Sequence, residues 1–97
     1  MTDRILHIKC AVEKSFGGIA RHVSSTAVIE VFEESLLWEG VVETFEVVCN
    51  PNLKRCYGFA YREEETLQYA TIAETDDVNS PKMAVKTFIA SRMERST

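Results

Sequence analysis

"LLWEGVVETFEVV", residues 36–48, is the stretch whose reading decides the fold. β-Branched and aromatic side chains dominate it, and these favour a pleated strand over a helix. In an extended chain Val41, Phe45 and Val47 point one way while Trp38, Val42 and Val48 point the other, so neither face is polar. A strand that is apolar on both sides needs cover on both sides, which sets it inside a layered domain.

Strand signals continue on either side. "STAVIEVFEE", residues 25–34, alternates with Val28 on one face and Ile29 and Val31 on the other. After residue 48, "CNPNLKR" carries an Asn-Pro-Asn turn signal that reverses the chain into "KRCYGFAY", residues 54–61. Residues 56–62 and 67–74 then read as a hairpin joined by "EEET". Setting Tyr61 opposite Leu67 puts Phe59 opposite Tyr69 and Gly58 opposite Ala70, giving an aromatic face and a small-residue face.

The final segment has the clearest start signal. In "NSPKMAVKTFIASRMER" Ser80 suits a helix cap and Pro81 the first turn, where a missing amide costs nothing. Ala84, Val85, Phe88 and Ile89 form an apolar stripe at helical spacing, with Lys82 and Lys86 outside it and Arg92 in the last turn. At the other end, residues 4–12 place Leu6, Ile8, Cys10 and Val12 on one side of an extended chain and are predicted to form a first strand. Residues 14–25, with Gly17-Gly18, are predicted to be an irregular connection with room for one helical turn at 19–23. The expected architecture is α+β: one domain over residues 1–97, with an antiparallel meander of four to five strands and one C-terminal helix packed on one face. The second face is expected to be covered by residues 14–25 or by another copy of the chain.

The 97 residues suffice for a core without disulfide or metal staples, and the 45% hydrophobic and 27% charged content is that of a globular domain. A formal net charge of −4 disfavours non-specific attraction to nucleic acid or anionic lipid. No signal-peptide core and no bilayer-length apolar run is present, so the expected location is the cytoplasm, with Cys10, Cys49 and Cys56 reduced.

Chemical signals are sparse. His7, Cys10, Cys49 and Cys56 offer four ligand types for zinc, but only His7-x2-Cys10 has a knuckle spacing, and on a strand those two point to opposite faces. The cysteines read as small core residues. His22, beside Ser24 and Ser25, reads as an exposed loop histidine, and Glu30, Glu33, Glu34, Glu39, Glu43 and Glu46 read as mostly solvent-facing strand carboxylates. Gly17-Gly18 lacks the spacing of a phosphate loop. No enzyme, cofactor or metal is implied.

One stretch carries a family resemblance. Arg55, Tyr57, Gly58 and Phe59 fall on matching positions of the basic-aromatic motif strand of RNA-recognition domains, which this strand resembles; Cys56, Ala60 and Arg62 depart from it. That family runs βαββαβ, whereas here a second strand follows the motif and a helix ends the chain. The resemblance implies single-stranded nucleic-acid binding on an aromatic sheet face of Tyr57, Phe59 and Tyr61, and this is the alternative function. The preferred expectation is a non-enzymatic module that associates with itself as a homodimer, or with another protein, through a sheet face. The candidate interaction face comprises Trp38, Lys54, Arg55, Tyr57, Phe59, Tyr61 and Tyr69.

Overall fold

Six elements follow one another in the computed structural model, which describes the backbone of residues 3–95 and the side chains of residues 3–92. They are α1 (Asp3–Phe16), β1 (Ile19–Phe32), β2 (Ser35–Val48), β3 (Arg55–Glu63), β4 (Thr66–Ala73) and α2 (Pro81–Arg95). The strands form one antiparallel sheet in the order β1-β2-β3-β4, so the meander and the C-terminal helix of the expected α+β fold are both present. Among the described residues no helix is long and apolar enough to cross a membrane.

The first strand expected over residues 4–12 is instead a helix. Ile5, Ile8, Val12 and Phe16 recur at spacings of three and four, and this helical stripe wins over the alternating set. Ile8 and Val12 are fully buried, whereas Leu6 is 47% exposed and Cys10 is exposed. Lys9 and Glu13 form an i,i+4 ion pair of 2.9 Å along the helix. Gly17 then ends it, with φ +80° and its N–H donating to the Glu13 carbonyl at 2.9 Å. Glu13 Oε2 also accepts from the Ala20 N–H at 2.9 Å, tying the helix to the start of β1. These two donors, Lys9 first, hold the Glu13 carboxyl below its ordinary range. Residues 14–25 are therefore the end of α1, a two-glycine turn and the opening of β1, with a strand where a helical turn was expected.

The sheet is covered on both faces, as the two-sided pattern of residues 36–48 requires, but the cover comes from α1. One core gathers Ile8, Val12, Ala20, Phe45, Val47, Leu53 and Cys56 on the α1 side. The other gathers Val28, Val42, Tyr57, Phe59, Val78, Ala84 and Val85 on the α2 side. Adjacent residues of β3 thus serve opposite cores, Cys56 facing α1 while Tyr57 and Phe59 face α2. α2 begins as expected: Ser80 Oγ accepts the Met83 N–H at 3.3 Å, and its stripe of Ala84, Val85, Phe88 and Ile89 meets the sheet.

The β3–β4 register differs from the expected one by a single residue. Phe59 pairs with Ala70, Ala60 with Tyr69, and Gly58 with Thr71. The connection is a two-residue turn at Glu64-Glu65, with Glu63 opposite Thr66, so every β4 side chain lies on the face opposite to expectation. Tyr69 accordingly belongs to the α1 core, and the aromatic face loses it. Both Glu64 (φ 49°) and Glu65 (φ 67°) are left-handed, and so are Glu33 (φ 48°) and Glu34 (φ 68°) between β1 and β2. Positive φ at both central positions is the turn that matches strand twist, and it is normally made by Asn-Gly.

Gly58 sets how closely α1 sits. A Cβ at this position would run into the Cγ2 methyl of Ile8. Gly58→Ala is expected to cost about 1 to 3 kcal/mol by overpacking, and less in an Ile8→Ala background, as measured by urea unfolding of the four proteins in the cycle. Replacing Glu64-Glu65 with Asn-Gly is expected to raise stability by about 1 to 2 kcal/mol in the same assay, because it removes left-handed strain from two side chains.

Candidate interaction surface

Helix α2 lies on the face where the sequence suggests a stacking platform. Tyr57 is 1% and Phe59 0% exposed, with Phe59 held edge-on between Trp38 (5.2 Å) and Phe88 (5.1 Å). Tyr61 packs on Phe88 at 4.8 Å, and the Arg92 guanidinium lies over its ring at 5.3 Å while pairing with Glu63 at 2.8 Å. Tyr69 is on the other face, its hydroxyl 3.2 Å from His7 Nδ1. Lys54 and Arg55 are exposed at the start of β3. The seven expected residues therefore do not form one surface, and the buried Tyr57 and Phe59 leave no ladder of rings on which bases could stack.

Two carboxylates expected to face solvent are buried. Glu43, in phase with Phe45 and Val47 on β2, is fully buried and meets Arg4 Nη2 at 2.9 Å, His22 Nε2 at 2.8 Å and the Ser25 hydroxyl. His22 is thus a strand residue, packed edge-on against Phe45 at 5.5 Å. Ser, His and Glu side by side suggest nucleophilic catalysis, but the geometry is otherwise. Ser25 and His22 Nε2 both address Glu43 Oε1, whereas a triad needs the hydroxyl and the carboxylate on opposite ring nitrogens. The cluster neutralises one buried charge and pins the start of α1 to the sheet.

Glu30 is the second. It is 9% exposed, in phase with Val28 on β1, and its Oε1 has no hydrogen-bond partner among the described residues. It lines a groove of about 220 Å³ with Phe32, Leu37, Lys86, Ile89 and Ala90. The signal for both residues was available as strand phase: each carboxylate alternates in step with buried apolar neighbours.

The surface that remains open is the far end of β1 and β2. These strands pair along their whole length, but β2 pairs with β3 only from Glu43 to Glu46. Beyond that point they form a two-stranded arm, supported by α2 and out of reach of α1. Ile29, Val31, Phe32 and Leu36 on this arm are 57% to 60% exposed. Where the arm parts from β3, a cleft of about 610 Å³ opens between Trp38 on one wall and Tyr61 and Leu67 on the other, with Phe88 and Arg92 of α2 contributing. Of the expected residues, Trp38 and Tyr61 meet here.

The cysteines divide likewise. Cys10 and Cys49 are exposed and Cys56 is buried, so only the last is the core residue expected. His7 and Cys10 lie on α1, and among the described residues no group of three or more His, Cys, Asp or Glu side chains is placed to share a metal ion.

The chain matches no protein-family model, no curated protein and no solved structure.

Burial pushes the Cys56 thiol from 9.0 up to about 12. Burial, reinforced by the hydrogen bond from its hydroxyl to Glu74, pushes Tyr57 from 10.0 up to about 12. Both stay neutral in the folded chain after the unfolded chain has ionised. The contribution of these two groups to stability is therefore expected to be full below about pH 9 and to fall as pH rises toward 12. Urea midpoints measured across that range should decline, and less steeply above pH 10 for Tyr57→Phe.

Proposed function

We propose that the chain is a small, non-enzymatic, cytosolic module that binds protein through the end of its β1–β2 arm. The observation that carries this is the exposure of Ile29, Val31, Phe32 and Leu36, each 57% to 60% accessible, on one projecting ribbon. A lone exposed aliphatic residue is ordinary, but a cluster toward the end of one hairpin, Ile29, Val31 and Leu36 on one face and Phe32 on the other, marks a contact surface. The arm also brings backbone to such a contact, because β1 is an outer strand with one edge free to pair.

Charge favours another protein over a second copy. Residues 29–39 hold Glu30, Glu33, Glu34 and Glu39 and no Lys or Arg, so two arms meeting head on would set like charges together. A homodimer through the free edge of β1 is the competing form of the same reading, and its mass distinguishes it.

The test is a photoreactive benzoylphenylalanine in place of Phe32, irradiated in an extract of the source cells. A discrete adduct with a different polypeptide, lost when Ile29→Lys and Leu36→Lys are added, is expected. An adduct of twice the chain mass, with matching sedimentation at tens of micromolar, would establish self-association. The absence of any discrete adduct would overturn the docking reading.

A further inference from the structure

The groove beside Glu30 gives the partner a chemistry. A carboxylate oxygen withdrawn from water and left without a donor is expensive, because a buried polar atom that makes no hydrogen bond keeps its desolvation cost. Glu43 shows how this chain otherwise treats such a group: Arg4, His22 and Ser25 all turn to it. Glu30 is nine-tenths buried, yet its Oε1 accepts no hydrogen bond from any described group. Lys86 lines the same groove without forming an ion pair with it. The missing donor is thus a feature of this one place on the arm, beside the exposed Phe32.

The dimensions and lining select the donor. Phe32, Leu37, Ile89 and Ala90 form apolar walls, and the volume of about 220 Å³ is below the range of typical small-molecule pockets. It suits one side chain with an aliphatic stem and a cationic head, the stem lying along the walls and the head reaching the carboxylate. The acidic residues of the arm, Glu33, Glu34 and Glu39, add an attractive field for such a group. We infer that the groove is the socket for an arginine or lysine side chain of the partner protein, held by Glu30 and flanked by apolar residues that cover Phe32 and Leu37.

This inference rests on the docking reading above, and its experiment is separate. The probes are n-butylguanidinium, which carries the arginine head on an aliphatic tail, and n-butylurea, its neutral counterpart, titrated into the full chain and followed by amide NMR shifts. The guanidinium is expected to shift Glu30, Leu37, Lys86 and Ile89 and to bind about tenfold or more tightly than the urea, the ratio set by a charge-assisted hydrogen bond. Glu30→Gln, which keeps the shape of the side chain, is expected to abolish that preference. It should also raise the urea midpoint of the free protein, because it replaces a carboxylate, one oxygen of which is buried without a donor, by a neutral amide. Equal binding of the two probes, no shift with either, or unchanged guanidinium binding by Glu30→Gln would overturn the socket. A lowered urea midpoint in Glu30→Gln would do the same, showing that Lys86 or another group of the chain already serves Glu30. None of these results touches the Phe32 crosslink, which reports on docking by itself.

Discussion

Ile8 seated against Gly58 is the contact on which the layered arrangement depends. β3 lies between two cores, and a strand in that position must present something to each. Toward α2 it offers the large rings of Tyr57 and Phe59, and toward α1 it offers Cys56 and the bare backbone of Gly58. The absent side chain lets the first helix come down onto the sheet, and burying Ile8 and Val12 there contributes about 1.5 to 3 kcal/mol apiece. An apolar helix and a small-residue strand face thereby solve each other's exposure. The Ile8 side chain fills the space that the glycine leaves.

From that contact the rest of the sheet follows in two unequal parts. α1 has fourteen residues and reaches only the end of the sheet where β1 begins and β2 finishes. α2 supports the other face and extends along it to Trp38, but among the described residues nothing on the α1 side follows the arm out to its tip. The early parting of β2 from β3 completes the effect, since the arm then lacks a third strand as well as a second helix. The exposed apolar side chains are the geometric consequence of a hairpin longer than the layers that cover it.

The two buried carboxylates show the difference between a structural and an interactive polar group. Glu43 sits where the start of α1 meets the sheet, and Arg4, His22 and Ser25 converge on it from two elements. Glu30, on the neighbouring strand, points to the opposite face of the sheet and lies on the arm, where α2 presents Lys86, Ile89 and Ala90 to the same groove. The same side chain thus ends, on neighbouring strands, in one fully buried and paired carboxylate and one, 9% exposed, whose Oε1 meets no donor among the described residues.

Residues 36–48 alone determined that the sheet must be covered twice, because apolar groups on both sides of a strand cannot both face water. Local chemistry likewise determined α2, whose Ser80-Pro81 start and four-residue stripe need no tertiary information, and the hairpins, whose strands alternate between polar tips. What covers the second face was decided by tertiary structure, since residues 4–12 satisfy a period of two and a period of 3.6 equally well until Ile8 finds Gly58. Register was decided there too: the sequence leaves "EEET" free to be a four-residue or a two-residue connection, and only packing of Tyr69 against α1 selects one. The site was least legible for the same reason. Whether a carboxylate on a strand is solvated, paired or stranded depends on which helix passes over it, and that is a property of the assembled layers, not of the neighbouring residues.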